Sequence, residues 1–110
     1  MTERRHLPNR RPREGFDFEH AGVRYTACVG RYPDGSPAEL FLSTTKAGTD
    51  IDAIARDAAL LFSLALQHGC PLDTIRAALS RDNRGGPAGA IGRAIELIDA
   101  DRAPLMTVIR

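Results

Sequence analysis

Two glycine-containing segments carry the residues best suited to bind an anion. The first surrounds Lys46, the only lysine of the chain, and leads into a run with helical periodicity. Free N–H groups at a helix start, with hydroxyls and an ammonium nearby, can hold a phosphate or a carboxylate. Lys46, Gly48 and Thr49 are therefore candidate ligands. The alternative is a structural turn and helix cap, because Asp50 would occupy the same N–H groups.

The second segment, residues 81–89, combines arginines with a run of glycines before another predicted helix. Guanidinium groups bind phosphate and carboxylate strongly, and glycine lets the backbone approach a ligand closely. The candidate ligands here are Arg81, Arg84, Gly85 and Gly86. The alternative is a plain loop whose glycines allow the chain to turn. The two segments together would make a better site than either alone.

The histidines and cysteines form no catalytic or metal-binding pattern. His6 lies in a basic tail and His20 in a turn, whereas His68 and Cys70 are too few for a zinc site of three or four protein ligands. The sequence also lacks a P-loop and a nucleophile elbow. We therefore predict no catalytic, cofactor-binding or metal-ligating residues. Cys28 and Cys70 are expected to be free thiols of a cytoplasmic protein without a signal peptide.

Length and charge restrict the class of protein further. The chain has 110 residues, 43% of them hydrophobic and 26% charged, with a formal net charge of +1. This suits one globular domain and excludes a barrel enzyme of roughly 250 residues. The longest apolar run, residues 58–66, is far shorter than the about 20 residues of a membrane span. The small net charge of the chain gives no overall electrostatic attraction to nucleic acid or to a membrane.

The first fifteen residues read as a basic, flexible tail, with five arginines and two prolines but no apolar periodicity. The remaining residues, 16–110, are predicted to form the single domain. An arm that docks on an acidic or phosphate surface is the alternative to a solvated tail.

The domain is predicted to be α+β, with an antiparallel three-stranded sheet followed by three helices packed on one of its faces. Residues 16–45 alternate apolar and polar positions, and turn signals stand at 20–22 and 32–36. Residues 105–109 are a candidate for a short fourth strand at the edge. In the second strand, the alternation places Val23, Tyr25, Ala27 and Val29 on one face.

Three helices are predicted after the strands. The first begins after Thr49 or Asp50 and ends at Gly69; the others span 71–79 and about 90–100, with Pro104 beyond. The inward apolar positions of the first helix are predicted to be Ile51, Ile54, Ala55, Ala58, Leu61, Phe62, Ala65 and Leu66. In the second and third helices they are Leu72, Ile75, Leu79, Ile91, Ala94, Ile95 and Ile98. Leu60 and Leu64 widen the apolar stripe of the first helix, which indicates that this helix is covered on two sides. The wide stripe also favours a homodimer through residues 50–68.

Two stretches carry a family resemblance. Residues 40–50 read LFLSTTKAGTD and residues 64–72 read LALQHGCPL. They resemble the TSCPD domain, which stands at the C-terminal end of adenosylcobalamin-dependent (class II) ribonucleotide reductases. The resemblance covers about residues 20–98. The motif that names the family is absent, since residues 85–89 read GGPAG where Thr-Ser-Cys-Pro-Asp would precede the last helix.

The resemblance implies a stand-alone accessory or binding module in nucleotide metabolism and DNA synthesis, without catalysis of its own. Its expected partners are a ribonucleotide reductase large subunit, a second copy of this chain, or a nucleotide or phosphate ligand. Adenosylcobalamin would be present only through a separate reductase subunit. One alternative is a component of a split class II ribonucleoside-diphosphate reductase, active only with a barrel subunit. Another is a nucleic-acid adaptor that uses the arginine-rich tail.

Overall fold

A computed structural model describes residues 3–8, 13–99 and 107–109. Four strands form one antiparallel sheet in the order β3-β2-β1-β4. The strands are β1 (Arg13–His20), β2 (Val23–Arg31), β3 (Pro37–Thr44) and β4 (Thr107–Ile109), and the helices are α1 (Asp50–Gln67), α2 (Leu72–Ala78) and α3 (Ala90–Asp99). The predicted α+β fold, a three-stranded antiparallel sheet followed by three helices, is confirmed.

The first hairpin turns through two residues in the left-handed region. Ala21 and Gly22 have φ angles of 51° and 80°, and His20 pairs with Val23 across the turn. This geometry matches the right-handed twist of the strands. In the second turn, the Asp34 carboxylate accepts from the Ser36 N–H at 2.9 Å and Gly35 has φ of 89°. Both turns lie where the sequence predicted them.

The apolar core covers one face of the sheet. Tyr25, Ala27 and Val29 of β2 are buried on this face, as the alternation predicted. The predicted inward residues of α2 and α3 also lie in or against the core. Its most buried large side chains are Val29, Leu40, Ile95 and Ile98.

The packed face of α1 differs from the predicted stripe. Ala55 and Phe62 are buried as expected, but Ile54 and Leu61 are 68% and 66% exposed. Their places on the packed face are taken by three buried polar residues: Asp52, Ser63 and Gln67. The prediction failed because α1 covers the edge of β3 as well as the apolar face of the sheet.

The polar residues of α1 hydrogen-bond peptide groups on the outer edge of β3. The Ser63 hydroxyl accepts from the Leu40 N–H at 2.8 Å, and it lies 3.1 Å from the Leu40 carbonyl. Gln67 Nε2 donates to the Ala38 carbonyl, and the Asp52 carboxylate accepts from the Thr44 N–H. An uncovered edge would expose unpaired peptide groups, so these side chains complete the sheet on this side.

Strand β1 begins at Arg13, three residues before the predicted start of the sheet. Helix α3 reaches Asp99, and β4 lies within the predicted edge strand. The predicted positions Ala100, Pro104 and Leu105 fall outside the described residues, as do tail residues 9–12.

Ser63→Ala should destabilise the protein by about 1–3 kcal/mol, because it leaves the Leu40 N–H buried without its acceptor. Urea unfolding followed by circular dichroism would measure the change. Ser80→Ala, at an exposed position after α2, should change the free energy of unfolding by less than about 0.5 kcal/mol. Equal losses in the two variants would contradict the role of Ser63 at the sheet edge.

Candidate functional site

The segment around Lys46 forms a closed turn and helix cap. Thr49 is the N-cap of α1: its hydroxyl accepts from the Asp52 N–H at 3.4 Å and donates to the Lys46 carbonyl at 2.6 Å. Gly48 takes the left-handed φ of 81° that this turn requires. Residues 45–50 are exposed. One N–H group of the first turn is therefore already bonded within the protein.

A carboxylate of the protein itself also occupies the start of α1. The buried Asp52 accepts from Arg56 Nε at 2.7 Å, from the Thr44 N–H at 2.8 Å and from the Thr44 hydroxyl at 3.2 Å. The hydrogen bond from Arg56, followed by that from the Thr44 N–H, holds the pKa of Asp52 below its usual range. This negative charge opposes a second anion at the same helix end.

The glycine loop, residues 81–89, is organised in a similar way. The Asp82 carboxylate accepts from the backbone N–H groups of Arg84 and Gly86, each at 2.9 Å. Arg81 Nη1 donates to the Gly85 carbonyl at 3.2 Å. Two of the N–H groups that an anion would use are therefore bonded to an internal carboxylate.

No hydrogen bond or ion pair among residues 3–8, 13–99 and 107–109 joins the Lys46 turn to the glycine loop. The anion-binding roles of Lys46, Gly48, Thr49, Arg81, Arg84, Gly85 and Gly86 therefore stay predictions.

The N-terminal segment contributes contacts that the sequence analysis missed. The Arg4 side chain donates to Gln67 Oε1 at 2.6 Å, and the Arg5 N–H donates to the Gln67 carbonyl at 2.6 Å. The Arg5 guanidinium also lies 3.6 Å from the centroid of the Tyr32 ring, a cation–π contact. Part of the predicted tail thus lies against the domain. The run of arginines gave no signal for this, since it reads equally well as a solvated arm.

A pocket of about 200 Å³ lies between β3 and α1. Its lining combines apolar side chains with two guanidinium groups and includes Arg4, Glu39, Leu42, Phe41, Arg56, Leu60, Leu64 and Gln67. Sequence reasoning did not find this pocket, because it depends on the rotation of α1 and on the placement of Arg4. The only signal was the apolar character of Leu60 and Leu64 outside the main stripe.

An exposed apolar surface lies on another side of α1. Ile51, Ile54 and Leu61 are 39%, 68% and 66% exposed and are spaced by three and seven residues, which places them on one side of the helix. We call these three residues the outer helix face. Clustered exposed apolar side chains are typical of a surface that binds another protein.

Cys28 and Cys70 are free thiols, both half-buried, and burial raises the pKa of Cys28. In the part of the chain that the structure describes, no group of three or more His, Cys, Asp or Glu side chains could hold a metal ion. Within the same residues, no helix has the length and apolar composition needed to cross a bilayer.

The sequence, compared with protein families, matches the TSCPD domain over residues 2–99. Strands β1, β2 and β3 and helices α1, α2 and α3 lie within this range, whereas β4 lies beyond it. The chain therefore belongs to the TSCPD domain family, and the resemblance found in the sequence is confirmed.

Several proteins with similar sequences are named vitamin B12-dependent ribonucleotide reductases. The protein of Rhodopirellula baltica is 39% identical over 72 residues, which are 66% of this chain and 7% of that protein. That of Bradyrhizobium diazoefficiens is 33% identical over 73 residues, 66% of this chain and 6% of the relative. That of Streptantibioticus cattleyicolor is 31% identical over 71 residues, 64% of this chain and 12% of the relative. No solved structure shows a significant match.

The chain thus spans only a small part of the relatives it matches. Two pockets among the described residues are small compared with the cofactor in the relatives' name. The pocket beside β3 has about 200 Å³, and a more polar one, between Glu14, Arg31 and Asp99, has about 470 Å³. Neither of these two pockets could enclose a corrin ring with its nucleotide arms.

Asp52→Asn should make stability less dependent on pH in the acid range. The lowered pKa of Asp52 means that its ionised form stabilises the folded protein above about pH 4, and that this contribution is lost as the pH falls towards the lowered pKa. The variant should be less stable than the wild type at pH 7 and should lose less stability on acidification. Urea midpoints measured between about pH 7 and pH 3 test this.

Asp57→Asn is the matched control, because Asp57 is an exposed carboxyl on the same helix. It should keep the wild-type slope of stability against pH. If Asp52→Asn kept the wild-type slope of stability against pH, the Asp52 carboxylate would have no stabilising role.

Proposed function

We propose that this TSCPD domain is a non-catalytic accessory module of vitamin B12-dependent ribonucleotide reduction, and that it acts by binding a reductase catalytic chain. The single observation that carries the proposal is the family match together with relatives that are named as such reductases. In those relatives the matching segment is part of a much longer polypeptide. A domain of this kind is thus already associated with a catalytic chain in the proteins it resembles.

The surface that would make the contact is the outer helix face, Ile51, Ile54 and Leu61. Burial of large apolar side chains is the main favourable contribution to most protein–protein association. Exposed aliphatic side chains at this density on one helix favour an apolar partner surface over a charged one. Asp50 and Asp57 are also exposed on α1, and they would disfavour a phosphate-rich partner there.

In this proposal the catalytic chain holds the cobalamin and carries out nucleotide reduction. The TSCPD domain contributes no reacting group. It would affect the reaction through assembly or substrate access.

Nucleic-acid binding is less well supported than protein binding. Arg4 and Arg5 contact Gln67 and Tyr32 of the same chain, so two of the tail arginines are already engaged. Homodimerisation through residues 50–68 would use the same outer helix face. It is therefore an alternative outcome of the experiment below rather than a separate function.

Isothermal titration of the full chain with the reductase catalytic chain of the same organism, freed of its own TSCPD segment, tests the proposal. We expect saturable binding with the wild-type domain. The double variant Ile54→Glu and Leu61→Glu should weaken it about ten-fold or more, because two carboxylates would have to be desolvated in the contact.

Ala77→Glu, on the exposed side of α2, is the control and should bind like the wild type. Light scattering on the same samples reports the oligomeric state. A dimer that the double variant abolishes, without any binding of the catalytic chain, would instead assign the outer helix face to self-association and overturn the proposal.

A further inference from the structure

The exposed apolar residues of α1 follow a heptad repeat. The outer helix face, Ile51, Ile54 and Leu61, continues through Ala58 and Ala65, which are half-buried on the same side of the helix. Successive members of this set are separated alternately by three and four residues. This spacing is the one by which two helices pack along each other, whereas the side chains of an extended strand repeat every two residues. The repeat therefore indicates an α-helix as the element that covers this face.

The dimensions of the face suit a short helix. From Ile51 to Ala65 the face extends over about 21 Å, so a partner helix of about four turns would cover it. Ala58 lies between Ile54 and Leu61 in the repeat, and its small side chain lets a second helix approach closely enough for side chains to interlock. Helix α1 is already ordered by its contacts with β3, so the conformational entropy of association is lost mainly by the partner.

One flank of the face is acidic. Asp50 and Asp57 are exposed, are seven residues apart, and each directly precedes a member of the repeat. Among the described residues, neither carboxylate has a hydrogen-bond or ion-pair partner. Residues that flank an apolar heptad stripe form the ion pairs that select one partner helix over another. A helix that covers this face should therefore present lysine or arginine to Asp50 and Asp57.

The opposite flank of the face contributes no charge. Ala55 and Phe62 directly follow Ile54 and Leu61, and both are buried in the core. The two unequal flanks also disfavour a second copy of this chain as the partner. In an antiparallel two-fold pair the two acidic flanks would meet, and in a parallel pair each acidic flank would face the buried flank of the other copy. Neither pairing gives Asp57 a basic partner.

We infer that the outer helix face is covered by a basic amphipathic helix of another protein. The apolar side chains of this helix would follow the same heptad repeat, and lysine or arginine residues spaced by seven would stand on the flank that meets Asp50 and Asp57. Apolar burial would supply most of the affinity, and the ion pairs would select this helix over an acidic one. The inference rests on the proposed function, because it specifies what the reductase catalytic chain presents to this face.

Three labelled peptides titrated with the full chain test the inference by fluorescence anisotropy. Each is a designed peptide of three heptads, and the first has leucine at the two apolar positions and lysine at both flanking positions of every heptad. The second has glutamate in place of lysine, and the third has the composition of the first with the leucines moved out of the repeat. We expect saturable binding of the lysine peptide. The other two should bind about ten-fold or more weakly, because one repels the acidic flank and the other lacks the apolar stripe.

Substitutions in the domain locate the contact. Asp57→Lys leaves one charge of each sign on the flank, so the lysine and glutamate peptides should bind it alike, within about three-fold. Glu19→Lys is the matched control, because it makes the same change of charge at an exposed position on β1 and should keep the wild-type preference. Ile54→Asn with Leu61→Asn removes apolar surface without adding charge, and it should weaken the lysine peptide about ten-fold.

Equal affinity of the wild-type chain for the lysine and glutamate peptides would overturn the inference. So would the absence of saturable binding of the lysine peptide, or a wild-type preference in Asp57→Lys. If the reductase catalytic chain binds but the peptides show no charge preference, the inference fails and the proposed function stands. If the lysine peptide binds as expected but the catalytic chain does not, the proposed function fails and the preference for a basic helix stands.

Discussion

The outer edge of β3 is the constraint on which the arrangement of this domain depends. Each peptide group that faces away from β2 must find a partner or remain in contact with water. Ser63, Gln67 and Asp52 supply those partners from a single helix, at positions spread over four turns of α1. The helix is thereby fixed in both position and rotation. A rotation that buried Ile54 and Leu61 would remove all three polar residues from the strand.

This constraint explains where the apolar residues of α1 lie. The helix is apolar around most of its circumference, but only Ala55, Ala59 and Phe62 can lie in the core once the polar residues face β3. Leu66 packs against this core, and the exposed aliphatic side chains of α1 are directed to solvent on two sides. One side forms the outer helix face and the other forms a wall of the pocket beside β3. Both candidate binding surfaces are therefore consequences of covering the edge strand.

The sequence predicted the elements well and their orientation less well. Alternation in β2, the turns around Gly22 and Gly35, and the cap at Thr49 each reflect local chemistry that leaves a direct signal. The rotation of α1 could not be predicted in this way, because apolar periodicity takes no account of hydrogen bonds to a strand far away in the chain. In the sequence, Ser63 and Gln67 interrupt the apolar stripe of α1. In the structure, they are among the most buried residues of this helix.

The same reasoning applies to the predicted anion site. The pattern of glycines, hydroxyls and basic residues indicates a source of N–H donors, but a sequence does not show which acceptors those donors already have. Asp52 and Thr49 accept hydrogen bonds from backbone N–H groups near the start of α1, and Asp82 accepts them in the glycine loop. Because each segment has a carboxylate of the protein beside it, its backbone N–H donors are bonded internally and stabilise the fold. The donors of these segments are thus less available for recognition than the exposed aliphatic side chains of α1.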